Sequence, residues 1–293
     1  MHFALFDRES WNFLITNYLP RRLATRFMGW FSRIESPALT RLAISIWRLF
    51  VDELDLSEAK KREADFVSLR DCFVRELRPG ARPLEGTKVT LVSPCDAVIG
   101  AHGTLAGGEL LQIKGSPYAL AELVPDAALA RHFENGRFAT LRLRSTMYHR
   151  FHAPADCHVD AVTYVSGDTF NVNPPTLKRI EGLFTRNERA LIPLTVDGAL
   201  EILLVPVAAI LVASLRLHCL PEALNVNWRG PNRLACDARY ARGEEMGWFE
   251  HGSTIVMLTT RCFRFADGIR EGDEIRMGRA LMRRTTAADA AAA

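Results

Sequence analysis

Residues 200–217 read Leu-Glu-Ile-Leu-Leu-Val-Pro-Val-Ala-Ala-Ile-Leu-Val-Ala-Ser-Leu-Arg-Leu, the most apolar run in the chain. Its reading decides the fold, because a helix of about 20 apolar residues is long enough to span a bilayer. Glu201, Pro206 and Arg216 interrupt the run. Val, Ile and Leu dominate on both sides of Pro206, which predicts two buried strands joined by a bend at that proline. The chain is therefore expected not to cross a membrane.

Outward from this run the same texture continues. VTLV (89–92), FATLRLR (138–144), VDAVTYV (159–165) and STIVML (253–258) are short, rich in β-branched residues and often alternating, with Gly and Pro between them. Before residue 88 the pattern is helical. Ser36-Pro37 supplies an N-cap and a proline at the first helical position, and Leu39, Leu42, Ala43, Ile46 and Phe50 recur with helical spacing as one apolar face. The box Ser68-x-x-Asp71 opens a short helix that stops before Pro79-Gly80. Upstream, Trp11–Ile34 is amphipathic, and Pro20 is expected to divide it in two. The sum is an α+β protein: N-terminal amphipathic helices over 1–84, then a mainly antiparallel β body over 85–293. The Ala-rich tail from Thr285 is expected to fray.

With 293 residues, 48% hydrophobic and 24% charged, the composition excludes a disordered, collagenous or coiled-coil chain. A net charge of +3 is too small to suggest a nucleic-acid partner, but it conceals a local excess. Residues 11–50 hold Arg21, Arg22, Arg26, Arg33, Arg41 and Arg48 against the single acid Glu35, a surplus of +5. Aromatics beside these arginines suit either a bilayer interface or the protein's own core. The six cysteines (72, 95, 157, 219, 236 and 262) form no C-x-x-C pair, and the start MHFALFDRES does not resemble a signal peptide. Reduced thiols in a cytosolic setting are expected.

Three places carry groups suited to chemistry: Ser93-Pro94-Cys95-Asp96-Ala97, Tyr148-His149-Arg150-Phe151-His152, and Glu250-His251-Gly252-Ser253-Thr254. Taken singly, each has an ordinary reading as a turn, an exposed loop or a strand entry. Together Asp96, a histidine and Ser253 supply a hydroxyl, a base and a carboxylate to orient it. The G-x-S-x-G elbow of α/β-hydrolases is absent. His149, His152 and His158 form an H-x-x-H-x5-H run that could hold zinc, although it lacks the glutamate of H-E-x-x-H, and no metal is expected.

These blocks resemble the phosphatidylserine decarboxylases, which are pyruvoyl-dependent and self-cleaving, and the bacterial membrane-associated type in particular. The resemblance spans nearly the whole chain. It includes Phe73–Pro83 (FVRELRPGARP), Asp96, Gln112–Gly115 (QIKG), Tyr148–His152 (YHRFH) and Gly167–Pro174 (GDTFNVNP). It continues through Leu183–Arg189 (LFTRNER), Gly243–Gly247 (GEEMG) and Gly252–Thr254 (GST).

The resemblance implies self-cleavage between Gly252 and Ser253 into a β chain, 1–252, and an α chain, 253–293. These would remain a heterodimer and could pair further. It implies His152 as base and Asp96 as its orienter toward Ser253, which becomes a covalent pyruvoyl (pyruvate) group. That group forms a Schiff base with the amine of phosphatidylserine and accepts electrons during loss of CO2. His149 is implied as the proton donor. A lipid substrate favours the interfacial reading of Trp11–Ile34 and a peripheral site on the cytoplasmic face of an anionic cell membrane. Two departures are the residues flanking Asp96, where Ala-Asp-Gly is common, and His251, where Leu is familiar.

Overall fold

The computed structural model describes residues 21–51, 53–113, 116–210, 214–225, 227–250 and 254–285. The expected helix before Pro20, the fraying tail, and the Gly252-Ser253 bond lie outside them.

Three helices open the described chain: α1 Arg21–Phe31, α2 Pro37–Arg48 and α3 Leu69–Phe73, with a 3-10 turn at Glu63–Asp65. Ser36 caps α2 through a hydrogen bond from the Leu39 amide, with Pro37 in the first turn. Ser68 caps α3 by accepting from the Asp71 amide. Ile44, Ala59, Phe66 and Cys72 form a small core of their own, with Trp47, Leu54, Leu56 and Leu69 against it.

The face of α2 that the sequence marks as apolar is not the one buried. Thr40 and Ile44 point inward, while Leu42, Ile46 and Phe50 are exposed. In α1 the inversion is stronger: Thr25 and Gly29, with Ser32 just beyond the helix, are buried, and Leu23, Phe27 and Trp30 face outward. Helical spacing reports which residues share a face, not what covers it.

The body follows in chain order as β1 Thr90–Val92, β2 Ala97–Thr104, β3 Glu109–Ile113 and β4 Ser116–Ala119. Helices α4 Leu120–Leu123 and α5 Ala127–Phe133 lead to β5 Arg137–Arg142, β6 Arg150–His152 and β7 Cys157–Val165. After α6 Pro174–Leu177 and α7 Leu183–Arg186 come β8 Arg189–Val196, β9 Ala199–Val207, β10 Leu215–Leu217 and β11 Arg233–Tyr240. The chain closes with β12 Glu245–Phe249, β13 Thr254–Thr259, β14 Phe263–Phe265, β15 Glu274–Ile275 and β16 Ala280–Arg284.

An eight-stranded sheet in the order β11-β7-β8-β9-β13-β5-β2-β15 is antiparallel throughout. Smaller sheets have the orders β1-β16-β14, β10-β12-β6 and β3-β4. Among the described residues the architecture is thus helices first and an antiparallel body after, an α+β fold.

The run 200–217 does form two strands, but the break does not fall at Pro206. That proline lies inside β9, opposite Ile255 of β13, and β9 continues to Val207. Pairing with β8 lapses between Leu204 and Val207, so the residue without an N–H sits where that ladder has a gap. The central strand β13 is buried at every position, which is why its sequence is continuous in Ile, Val, Met and Leu.

Candidate active site

His152 ends β6, where it is paired with Glu245 of β12, and its amide donates to the Pro94 carbonyl at 2.7 Å. The strand is thereby tied to the turn carrying Asp96. His152 Nδ1 lies 2.9 Å from the Gly243 carbonyl oxygen. A carbonyl only accepts, so Nδ1 carries the proton and Nε2 holds the lone pair. Tyr148 Oη lies 3.0 Å from Nε2 and donates to it. Burial and the Glu245 charge hold the Tyr148 hydroxyl well above its ordinary pKa, so it keeps its proton. Burial also lowers the His152 pKa from 6.5, against the Gly243 hydrogen bond and the nearby charges of Glu245 and Asp96. The outcome is a buried base, neutral at neutral pH, with its tautomer fixed.

Asp96 accepts from Arg82 Nε at 2.8 Å, from Arg82 Nη2 at 2.5 Å and from the Met277 amide at 2.8 Å. Arg82 also reaches Glu58 at 2.8 Å. Burial works against the Arg82 charge, but Asp96 and Glu58 outweigh it, and the guanidinium pKa rises. The partners of Asp96 are thus Arg82 and Met277, and its charge raises the His152 pKa. The group that fixes the imidazole at Nδ1 is the Gly243 carbonyl rather than the Asp96 carboxylate that the resemblance implies as orienter.

His149 precedes β6 and faces elsewhere. It is fully buried, with its ring 4.1 Å from that of Phe73, which stacks on Trp47 of α2 at 5.6 Å. Its carbonyl accepts from the Phe249 amide at 3.0 Å. The two histidines of the Tyr148–His152 block thus serve different sides. His152 lines a cleft of about 560 Å3 with Tyr148, Arg150, His218, Tyr240 and Glu245; His149 lies beneath the helical layer.

The residues bracketing 251–253 are both fixed. Glu250 is buried, and its carboxylate accepts from Arg33 Nη2 and Arg70 Nε, each at 2.7 Å. Thr254 begins β13, fully buried between Val207 of β9 and Arg142 of β5. His158 pairs with Asp237 at 2.6 Å on β11, away from the other two histidines. Among the described residues no group of three His, Cys, Asp or Glu is arranged to hold a metal ion. All six cysteines are free thiols, and burial pushes Cys72 and Cys157 up to about 12.

Several contributing residues had not been singled out from sequence. Tyr148, Arg82 and Gly243 lie within the quoted blocks, so position in a block was the available signal. Glu250 lies in a quoted block, but its partners Arg33 and Arg70 reach it from 217 and 180 positions away, and nothing local announces the pairing.

A family model described as phosphatidylserine decarboxylase matches residues 69–283. Among curated proteins, the phosphatidylserine decarboxylase proenzymes of Shewanella sp. (strain ANA-3) and Shewanella baltica (strain OS155 / ATCC BAA-1091) are each 36% identical to this chain. Each alignment covers 90% of this chain and 93% of the relative. That of Shewanella pealeana (strain ATCC 700345 / ANG-SQ1) is 35% identical over 90% and 94%. With the match running from α3 to the last strand, the chain belongs to the phosphatidylserine decarboxylase family and is a decarboxylase.

Proposed function

We propose that this chain is a proenzyme that cleaves itself between Gly252 and Ser253 and then converts phosphatidylserine to phosphatidylethanolamine and CO2 at an anionic membrane surface. The observation that carries the reading is the bracketing of 251–253. Glu250 and Thr254 are both buried and anchored, and β12 pairs with the strand that bears His152. Fixing the residues that flank a reacting bond lowers the conformational entropy that its attack must otherwise cost.

In the proposed step Ser253 Oγ attacks the Gly252 carbonyl, and the proton leaves through a base, the role given to His152. The C–N bond breaks, giving an ester and a free amine at residue 253. Loss of the Cα proton then expels the Gly252 carboxylate and leaves dehydroalanine, which takes up water and releases ammonia to give the pyruvoyl group. The surroundings suit such a group: the adjacent Thr254 is fully buried, and His149, likewise buried, lies one hydrogen bond from Phe249. Once formed, the group supplies a carbonyl that condenses with the substrate amine as a Schiff base and draws in the electron pair left by the departing carboxylate. His149 is the residue proposed to return the proton to the substrate carbon.

Cleavage at this bond would not release the α chain. β13 lies between β9 and β5, and β16 between β1 and β14. The strands from Thr254 to Arg284 would remain an integral part of both sheets, giving a β/α heterodimer.

The lipid surface is assigned to α1 and α2. Trp30 is 63% and Leu49 79% exposed, and Leu23, Phe27, Leu42, Ile46 and Phe50 continue the patch. Basic residues near an anionic surface add about 1 kcal/mol each. No helix among the described residues is long and apolar enough to cross a membrane, and peripheral docking on the cytoplasmic face is the proposed arrangement.

Intact mass after denaturing electrophoresis tests the reading. A fragment beginning with a pyruvoyl group at position 253 is expected, and Ser253→Ala should abolish it along with CO2 release from phosphatidylserine. A full-length protein that is active would overturn it.

A further inference from the structure

Glu250 sits at the seam between the helical layer and the cleavage segment. It is 3% exposed, yet both of its cationic partners come from the N-terminal region: Arg33 just beyond α1, and Arg70 in α3. The two partners are themselves joined, since the Arg70 amide donates to the Ser32 carbonyl at 2.8 Å. On the other side the Glu250 amide donates to the Ser214 carbonyl at 2.9 Å. The residue is therefore fixed by its backbone to the chain following β9 and by its side chain to Arg33, just beyond α1, and Arg70 of α3. Burial alone would raise its pKa, but Arg33, Arg70 and Ser214 outweigh that and hold the carboxyl below its ordinary range, ionised at neutral pH.

Such a carboxylate is costly to bury for stability alone, because desolvation cancels much of the attraction. Its partners are unequal to it in burial: the Arg33 side chain is 56% exposed and that of Arg70 34%, against 4% for Glu250. Removing the charge from Glu250 leaves two solvated arginines, so little stability should be lost. What is lost is the fixed position of a residue only two positions before Gly252.

We propose that Glu250 is a positioning residue for self-cleavage: its double ion pair with Arg33, just beyond α1, and Arg70 of α3 fixes the chain two residues before Gly252. This rests on the self-cleavage reading above. It follows that folding of α1 and α3 onto the body must precede processing, so that an undocked chain remains intact.

The test follows cleavage of full-length protein over time after synchronised cell-free synthesis. Glu250→Gln should slow it at least tenfold, with the thermal midpoint and vesicle sedimentation unchanged. Arg33→Ala and Arg70→Ala should each slow it, and Arg33→Ala combined with Glu250→Gln should be no slower than Glu250→Gln alone. Hydroxylamine, which cleaves an ester but not a peptide, should fail to restore the rate, because the deficit lies in forming the ester.

Wild-type rates in Glu250→Gln, or in both arginine variants, would overturn the proposal, as would full rescue by hydroxylamine. Should Glu250→Gln be insoluble, Arg33→Ala decides, since its side chain is more than half exposed. Ser253→Ala separates the two levels. If wild type is not cut before residue 253, the self-cleavage reading fails. If wild type is cut, Ser253→Ala is not, and Glu250→Gln is cut at full rate, only the role of Glu250 fails.

Discussion

In β13 every side chain from Thr254 to Thr259 is buried, whereas in α1 the buried positions are Thr25 and Gly29, and Leu23, Phe27 and Trp30 face outward. The body obeys the usual rule, with Ile, Val and Leu inside. The helical layer inverts it, placing small and polar residues against the protein and Leu23, Phe27 and Trp30 on the surface. A cluster of large apolar side chains facing outward marks a surface suited to a partner rather than to the protein's own core. Between the two regions lies the stack Trp47–Phe73–His149, which runs from α2 through α3 to the residue before β6. The lesson is that the layer with the outward apolar face is also the roof over one of the two histidines.

The largest effect is expected on the body side of this contrast. His152→Ala removes the neutral, tautomer-fixed base and should slow self-cleavage about 10²- to 10⁴-fold, the usual range for general-base catalysis, read as persistence of the uncut chain on a denaturing gel. Variants of the lipid-facing residues should leave that rate within a few-fold of wild type. If they slow it as much as His152→Ala does, the division of labour between layer and body is wrong.

Next in size is the interior ion pair. Arg82 and Asp96 have side chains only 7% and 11% exposed, so Arg82→Ala leaves the carboxylate buried with little beyond the Met277 amide. Breaking a buried pair in this way costs about 3–5 kcal/mol, and chemical denaturation should show it. Leu204→Ala, at a fully buried position on β9, should cost about 2–5 kcal/mol for lost transfer energy and the cavity left behind.

These contrasts also mark what the chain disclosed in advance. Ser36 and Ser68 could be read as caps because a cap is a local hydrogen bond three residues long, and both form. The strands at 89–92, 138–144, 159–165 and 253–258 were legible because burial on both faces, or on alternate ones, is written into composition. The apolar stripe of α2 was legible as a stripe, but its outward direction was not, since direction depends on tertiary packing. The histidine pair was legible as a block of two imidazoles three residues apart. That Nδ1 of His152 is held by Gly243, 91 residues away, and that Asp96 is held by Arg82, was not. Pro206 misled because proline was taken as a break, whereas one missing donor is tolerated at a gap in a ladder.

A smaller, directional effect concerns pH. The base must be neutral, and burial sets its pKa below 6.5. The cleavage rate should therefore climb through a midpoint below that value and be flat above it. Tyr148 donates to Nε2, a bond available only while the imidazole is neutral, so it favours the neutral form. Tyr148→Phe should move the midpoint upward. Cleavage progress measured in a series of buffers decides, and a downward shift or a midpoint above 6.5 would contradict the assignment.

The smallest change in stability is expected where the apolar residues are largest. Phe27→Ser and Trp30→Ser alter side chains 58% and 63% exposed, and surface substitutions of this kind usually stay within about 0.5 kcal/mol. If those rings merely rested on the protein, nothing else would change. If they enter the interface, each removes burial from the lipid side at about 25 cal/mol per Å2, and sedimentation with phosphatidylserine-containing vesicles should fall. Raising the salt should weaken what remains, because the residual attraction is that of the arginines for anionic lipid and is screened within about 10 Å at 0.1 M. A double variant that melts like wild type yet still sediments fully with vesicles would show that the inverted helices face something other than a membrane. A double variant that melts several degrees lower would show that the rings pack on protein, and that the contrast between layer and body is one of degree.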